Sequence, residues 1–544
     1  MVVTRTTVVE NRGETATSHR AADSRAPDIR PQPKSRGEPD GTTPSGSPTN
    51  PLCPYDALLG VFVLSGCLRY TSGVNTPTFF FYDLETSGFD PKRQRIMQFA
   101  GQRTDMDMNP VGEPVNVLVA LSDEVLPDPA AVVLTGITPQ KTREEGYNEA
   151  DFLKLLHEQV FTPNTVILGF NSVRFDDEFM RHTLFRNYYD PYEWSWKDGR
   201  SRWDMLDVVR MTRALRPEGI EWPFDENGQP QNRLEKLSAV NGLDHEQAHD
   251  ALSDVVALIA VAKLIKTKQP RIFEHLLKMR DKKAVAELVN LDDPKPFVYA
   301  SGRYPKEILH TTVALPIGQG SKPGSVLVYD LRQDPAFWAG KTVDELKAIR
   351  FTKWEDRQKE GFRPLPVKEL AYNKCPAVAP LGVLDEAAQK RIGLDIVTVE
   401  RHVAGLRQAG IADAMLAVFA RDGEFPKTKD VDGALYNGFV NERDKPKMSA
   451  VRAADRHELT DFNPGFADER LADLLVRYKA RNFPQSLSQS DREAWEDYRA
   501  ERVRSDLPRF SAELERLSKE VSDEKSFLLS ELHLWAESIV PFTE

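Results

Sequence analysis

The amino-acid sequence predicts an α/β domain, then a small β-rich domain, then an all-helical domain. Buried strand-like runs alternate with amphipathic helices between residues 78 and 268, which is typical of an α/β layer domain. Short strand-like runs separated by turn residues continue over residues 269–422 and predict the β-rich domain. Residues 423–544 have few glycines and regular apolar spacing, which predicts packed helices.

The composition is that of a folded protein, and it limits the possible partners. The chain has 544 residues, of which 40% are hydrophobic and 28% are charged, and its formal net charge is -11. A nucleic-acid partner would therefore have to bind a local basic surface. The three scattered cysteines, Cys53, Cys67 and Cys375, do not form a disulfide framework or a thiolate zinc site. They favour a reducing compartment, the cytoplasm.

Residues 1–77 are predicted to be a disordered and dispensable extension. The first 50 residues are rich in Ser, Thr, Pro, Gly and charged side chains, so they cannot bury enough apolar surface to fold. The apolar run Ala57–Leu68 has 12 residues, fewer than the ~20 that span a bilayer. It also begins too late in the chain for a signal peptide, so no membrane partner is expected.

The first predicted strand begins with four consecutive aromatic residues, Phe79–Tyr82, which suit a strand buried on both faces. Strands at Gln98–Asp105 and Val111–Leu121 continue its sheet, and Thr165–Phe170 is a second buried strand. Amphipathic spacing predicts helices at Glu149–Gln159, Asp177–Asn187, Asp204–Leu215, Arg233–Asn241 and Asp250–Ile265. In the β-rich domain, strands are predicted at Thr311–Ile317, Ser325–Leu331 and Val367–Tyr372.

Two carboxylates, Asp83 and Glu85, follow the aromatic run with one residue between them. Residues two apart on a strand point to the same face, so the two acids would project together and repel each other. A divalent cation bound between them removes that repulsion. Taken alone, an exposed acidic turn ending at Gly88 is the commoner explanation of such a short motif.

Other acidic residues are expected at the same end of the sheet, because sites in open α/β sheets form beyond the strand ends. Asp176 follows the second buried strand. Asp250 can cap the last helix, which places Asp254 in the first turn and His249 in the loop before it. Asp204 is expected to orient the site without binding metal, whereas Asp177 and Asp207 are expected to be structural.

These residues predict a hydrolytic metal centre. Asp83, Glu85, Asp176 and Asp254 are hard oxygen donors that suit two Mg²⁺ or Mn²⁺ ions. Two such ions about 3.5–4 Å apart activate a water and stabilise the leaving oxygen in displacement at phosphorus. His249, neutral near pH 7, is the predicted acceptor of the proton from that water.

The ordered set of motifs resembles a known family. Asp83-x-Glu85, Asn171-x-x-x-Phe-Asp176 and His249-x-Ala-x-x-Asp254 are similar to the motifs of the histidine-bearing DEDD exonucleases, and most similar to those of the bacterial exodeoxyribonuclease I family. The resemblance extends from about residue 78 to the end of the chain. It also includes these segments: Ile137–Pro139, Arg186–Tyr192, Trp194–Trp196, Leu215–Gly219, Asn373–Pro376, Leu435–Phe439 and Tyr478–Pro484.

The resemblance implies a ribonuclease H-like exonuclease domain, an SH3-like β-rich domain and a helical C-terminal domain that form a clamp around single-stranded DNA. It implies processive 3′→5′ degradation to 5′-mononucleotides in DNA repair and recombination, by a monomer that also engages the single-stranded-DNA-binding protein. It assigns Asp83, Glu85, Asp176 and Asp254 to metal binding and His249 to general base catalysis. The implied substrate contacts are Glu85, Arg233, Arg181, Tyr192, Trp196 and Arg210.

Three alternatives compete with this interpretation. A DEDD exoribonuclease would keep the fold, but those enzymes are typically shorter and lack the two domains that follow Lys268. His245-Glu-x-x-His249 has the zinc-peptidase pattern, which requires a helix. Here Gly242 before it and the helix start at Asp250 predict a loop instead. A catalytically silent DNA clamp is disfavoured because all five chemical positions are occupied.

Overall fold

A computed structural model gives the structure of residues 76–243, 250–408, 410–420, 426–455 and 457–540. The predicted disorder and the apolar run of the N-terminal extension lie outside these described residues, and so do His245 and His249. Within the described ranges, no helix combines the length and the apolar character that a membrane crossing requires.

A five-stranded mixed sheet organises the first part of the chain. Its strands are β1 (Thr78–Thr86), β2 (Ile96–Thr104), β3 (Val115–Leu118), β4 (Thr165–Gly169) and β5 (Ser201–Asp204). The strand order is β3-β2-β1-β4-β5. β1 pairs antiparallel with β2 and parallel with β4, and β4 pairs parallel with β5. The parallel strands β1, β4 and β5 therefore end at the same edge, where a site can form.

Among the described residues, this mixed-sheet domain also contains the α-helices α1 (Pro129–Thr135), α2 (Pro139–Glu145), α3 (Glu149–Leu155), α4 (Asp176–Arg186), α5 (Met205–Leu215), α6 (Leu234–Val240) and α7 (Ala251–Lys268). Alternate residues of β1 face opposite layers. Phe80, Tyr82 and Leu84 pack with α3 and α4, whereas Phe79 and Phe81 pack with α5 and α7. The face of β1 that carries Phe79 and Phe81 continues into Asp83 and Glu85, so both acids face the side of α7.

The antiparallel-sheet domain follows with α8 (Pro270–Lys278), α9 (Lys282–Leu288), β6 (Phe297–Ala300), β7 (Thr311–Gln319), β8 (Ser325–Asp330), α10 (Val343–Arg350), α11 (Trp354–Arg357), β9 (Val367–Ala371), β10 (Ala377–Pro380), α12 (Glu386–Ile392), α13 (Ile396–Gln408) and α14 (Ile411–Phe419). Its five strands have the order β10-β6-β7-β8-β9, and every pairing is antiparallel. Apolar side chains of this sheet and of the mixed-sheet domain form one continuous core, so the two domains are packed together.

The helical domain contains α15 (Lys445–Ala453), α16 (Glu469–Asn482), α17 (Gln489–Leu517) and α18 (Ser526–Ile539). Leu471, Leu474 and Tyr478 share one face of α16 and pack with Phe185 and Tyr188 from the mixed-sheet domain. A second apolar cluster joins α17 and α18 to the region around α1. The helical domain is therefore attached to the mixed-sheet domain by two separate apolar contacts.

The predicted order of α/β, β-rich and helical parts is confirmed, with differences in detail. The four-residue strands β5, β6 and β10 and the helix α1 are absent from the prediction because such short elements show no clear periodicity. The predicted β-rich region is also less strand-rich than expected, since α12, α13 and α14 fill its last third. The three domain boundaries stay predictions.

Candidate active site

Three acidic side chains meet at the end of β1. Asp83, Glu85 and Asp254 each offer an oxygen atom within 4.8 Å of the others, and all three are partly buried. Asp254 lies in the first turn of α7, whose N-cap Asp250 accepts a hydrogen bond from the backbone N–H of Ser253. The predicted capping role of Asp250 is confirmed. Because α7 packs against β1, Asp254 lies close to Asp83 and Glu85 at the end of that strand.

Asp176, the fourth predicted ligand, is the first residue of α4 and is 4% exposed. It lies outside the group of three that the described residues form, although its charge contributes to the raised pKa of Asp83. Asp204 shapes the turn that leads to it. The Asp204 carboxylate accepts hydrogen bonds from the backbone N–H groups of Asn171 at 2.9 Å and Val173 at 3.1 Å. Asn171 has a left-handed φ of 67° there, a conformation that asparagine tolerates.

Burial and repulsion between like charges both act on this cluster. Burial, together with the charges of Asp176, Glu85 and Asp254, raises the pKa of Asp83 well above its usual value. Burial and the charges of Asp254 and Asp250 raise the pKa of Glu85 to about 7. A hard divalent cation bound by these oxygens would replace the repulsion with attraction. The donor set therefore fits a divalent metal.

The predicted general base, His249, lies outside the described residues, and so does the His245-Glu-x-x-His249 pattern of the peptidase alternative. The structural role predicted for Asp177 is confirmed, because its carboxylate accepts hydrogen bonds from the Tyr82 hydroxyl at 2.9 Å and from Arg202.

The predicted substrate contacts differ in accessibility. The guanidinium of Arg181 lies 5.7 Å from the ring centre of Tyr192. Trp196 is 61% exposed, and the Arg233 side chain is 65% exposed. Both side chains are therefore open to solvent.

Arg210 is held instead by an ion pair with Asp207 at 2.6 Å, and only 13% of its side chain is exposed. Its guanidinium packs against Gly302 of the antiparallel-sheet domain, where a Cβ atom would lie 2.8 Å from Arg210 Nη1. A larger residue at position 302 would therefore displace this arginine. The expected structural role of Asp207 is confirmed by this ion pair.

Three polar residues near Asp176 are missing from the sequence-predicted site. Arg174 precedes it by two residues, and 46% of its side chain is exposed. Lys374 belongs to the antiparallel-sheet domain and Tyr436 belongs to the helical domain. Both side chains bind Glu178 on the first turn of α4. Lys374 and Tyr436 lie in the matched segments Asn373–Pro376 and Leu435–Phe439, but the sequence pattern gave no reason to place those segments beside α4.

Three family models match this chain: Exonuclease over residues 80–262, Exonuclease I SH3-like domain over residues 280–421 and Exonuclease I C-terminal domain over residues 429–539. Exodeoxyribonuclease I of Haemophilus influenzae is 38% identical over 84% of this chain and 97% of its own length.

Two solved structures of E. coli exonuclease I are also similar. The complex with a dA16 oligonucleotide is 38% identical, has a TM-score of 0.82 and covers 86% of this chain and 100% of its own. The zinc-bound complex with single-stranded DNA is 38% identical, has a TM-score of 0.81 and covers 85% of this chain and 99% of its own. The match therefore includes all three domains described above.

Proposed function

Because the chain belongs to the exodeoxyribonuclease I family and is an exonuclease, we propose that it degrades single-stranded DNA processively from the 3′ end. The products would be 5′-mononucleotides, and the cellular role would be DNA repair and recombination. The observation that carries this proposal is the cluster of Asp83, Glu85 and Asp254 at the end of β1. The complexes of the E. coli relative with oligonucleotides support single-stranded DNA as the substrate.

The proposed metal ligands are Asp83, Glu85, Asp176 and Asp254, and the proposed metal is Mg²⁺, with Mn²⁺ as a substitute. When bound, two such ions supply charge neutralisation at the phosphate and an activated water. The proposed role of His249 is to accept the proton of that water, which requires a neutral imidazole. The Asp204 carboxylate fixes the backbone at Asn171 and Val173 and thereby holds the turn that leads into α4.

Strand binding would rely on groups that do not read base sequence. Arg181 and Arg233 would bind phosphates, and Tyr192 and Trp196 would stack unpaired bases. Stacking on aromatic rings is worth about 1–3 kcal/mol per base and tolerates every base. Glu85 would contact the terminal nucleotide as well as the metal, and Arg210 would contact the strand.

The experiment that tests this function is digestion of an end-labelled oligonucleotide in Mg²⁺, with either the 3′ or the 5′ end blocked. A duplex of the same sequence and an RNA strand are digested in parallel. We expect mononucleotides only from single-stranded DNA with a free 3′ end. Release from the 3′-blocked strand would refute the direction, and preference for RNA would assign the chain to the exoribonucleases.

We also propose a cytoplasmic monomer that engages the acidic tail of the single-stranded-DNA-binding protein. The net charge of -11 means that such a tail would need a local basic surface. Light scattering would test the monomer, and pull-down with the tail peptide and with a charge-scrambled peptide would test the partner.

We further propose the domain boundaries 78–268, 269–422 and 423–544 and a dispensable segment 1–77. A chain that begins at residue 78 should therefore retain full activity.

A further inference from the structure

The carboxylate of Glu178 is a point where side chains of all three domains meet. Its Oε1 atom lies 2.7 Å from Arg181 Nη1 in the mixed-sheet domain and 3.2 Å from Lys374 Nζ in the antiparallel-sheet domain. Its Oε2 atom accepts a hydrogen bond from the Tyr436 hydroxyl of the helical domain. Charged groups strengthen such hydrogen bonds, so this junction has a defined geometry.

The junction lies beside the proposed metal centre. Glu178 follows Asp176 by two residues, in the first turn of α4. Asp177 lies between them and accepts a hydrogen bond from Arg202, which also donates to the carbonyl of Asn373. The segment that carries Lys374 is therefore connected to α4 at two consecutive acidic residues.

The segment that carries Tyr436 is also fixed to α4. The Tyr436 ring packs edge-on against the ring of His182, with the ring centres 6.0 Å apart. His182 lies one helical turn after Glu178, and its Nδ1 atom donates to the carbonyl of Asp432 at 3.3 Å. Glu178 and His182 together determine where Tyr436 lies relative to Asp176.

Lys374 and Tyr436 remain available to a ligand. The Lys374 side chain is 42% exposed and Tyr436 is 55% exposed. Arg181 and Lys374 carry two positive charges against the single negative charge of Glu178, which leaves the junction with a positive charge. An exposed ammonium beside an exposed aromatic ring is the combination that binds phosphate and base of an unpaired strand.

We infer that Glu178 is a positioning residue, whose carboxylate orients Lys374 and Tyr436 so that the two outer domains contact the DNA strand next to Asp176. This inference rests on the proposed function, since it assumes that a single strand enters this centre. Lys374 would bind a phosphate and the Tyr436 ring would stack a base. Glu178 itself would not touch the reacting phosphate.

Equilibrium binding of a fluorescent single-stranded oligonucleotide in EDTA tests the inference, with turnover at saturating DNA in Mg²⁺ measured separately. Tyr436→Phe keeps the ring and removes the hydroxyl that Glu178 holds. We expect it to weaken binding about 3- to 10-fold, the range of a typical lost hydrogen bond, and to change turnover by a smaller factor. Lys374→Met should weaken binding similarly and reduce its salt dependence, and Lys374→Arg should restore both.

A double-mutant cycle separates positioning from independent contact. In a Glu178→Met background, Tyr436→Phe should cost nothing further, because the hydroxyl no longer has a carboxylate to hold it. Glu178→Gln should retain part of the binding, since its amide oxygen can still accept from Tyr436. The matched controls are Tyr372→Phe, whose hydroxyl donates to Val289 within the antiparallel-sheet domain, and Lys519→Met in the exposed turn that follows α17. Both controls should bind DNA as the wild type does.

Wild-type binding by Tyr436→Phe, or additive effects of Tyr436→Phe and Glu178→Met, would overturn the inference while the exonuclease activity of the wild type stands. If the wild type releases no nucleotide from single-stranded DNA, the proposed function fails and the inference fails with it. Melting temperatures of the variants within about 2 °C of the wild type would exclude unfolding as the cause of weaker binding.

Discussion

Replacing Glu85 with glutamine removes one of three clustered carboxylates and keeps the size of the side chain. Burial and nearby charges raise the pKa of Glu85 from 4.5 to about 7. At about 1.4 kcal/mol for each tenfold change in the ionisation constant, this corresponds to about 3 kcal/mol. Because the side chain is partly exposed, solvent screening reduces the expected value to about 1–3 kcal/mol.

The sign of the effect follows from the direction of the pKa change. A carboxyl group whose pKa is raised by folding destabilises the folded state wherever the unfolded chain is ionised. For Glu85 the destabilisation is absent below pH 4.5, grows as the pH rises and is complete above about pH 7. In EDTA, Glu85→Gln should therefore be more stable than the wild type at pH 8 and equally stable at pH 4.5.

Thermal unfolding in EDTA at pH 4.5, 6 and 8 measures this difference. A stabilisation of about 1–3 kcal/mol corresponds to roughly 1–5 °C in the melting temperature of a chain this long. Added Mg²⁺ should raise the melting temperature of the wild type more than that of the variant, because a ligand that binds the folded state more tightly stabilises it more. Glu515→Gln, at a side chain that is 75% exposed on α17, serves as the control and should leave the melting temperature at pH 8 unchanged. Equal melting temperatures of Glu85→Gln and wild type at pH 8 would refute the argument that burial and nearby carboxylates make ionised Glu85 destabilising in the folded protein.

Three further predictions test other parts of the molecule. Asp83→Ala or Asp254→Ala should abolish nucleotide release in Mg²⁺ but retain oligonucleotide binding in EDTA, and measurable turnover by either would contradict the proposed metal ligands. Burial alone would raise the pKa of Glu124, but the charges of nearby guanidiniums lower it to about 2. Its contribution to stability should therefore be complete above pH 4.5 and fall towards pH 2, and Glu124→Gln should lose this pH dependence in acid unfolding. Trp196→Ala, at an exposed site, should weaken strand binding by about 1–3 kcal/mol without changing the melting temperature. Trp194→Ala, at a buried site, should destabilise the fold by about 3–5 kcal/mol.

The arrangement of side chains at the end of β1 could be predicted from the sequence, because it follows from a pattern of neighbouring residues. Phe79 and Phe81 alternate with Phe80 and Tyr82, so the strand and its two buried faces follow from a period of two. The same period places Asp83 and Glu85 on one face. The cap at Asp250 is equally local, and it fixes Asp254 in the first turn of α7.

The contacts between domains could not be predicted in this way, because no local pattern encodes them. Lys374 and Tyr436 lie 196 and 258 residues from Glu178. Nothing in the segments around them shows which helix they will contact. The same applies to the contact between Arg210 of the mixed-sheet domain and Gly302 of the antiparallel-sheet domain, which no local pattern around either residue encodes.

A buried ionic network explains how the helical domain keeps a fixed position relative to the mixed-sheet domain. Glu124 lies 2.9 Å from Arg95 and 3.0 Å from Arg481, and Arg481 also pairs with Asp432 at 2.6 Å. The free energy needed to remove water from so many charges is about as large as the free energy gained from their mutual attraction. The apolar clusters therefore supply most of the stability. The network instead specifies geometry, because a shifted domain would leave buried charges without partners. Asp432 belongs to this network, and its carbonyl is also the acceptor for His182 on α4. The network therefore determines where the segment of the helical domain that carries Tyr436 meets the helix that begins with Asp176.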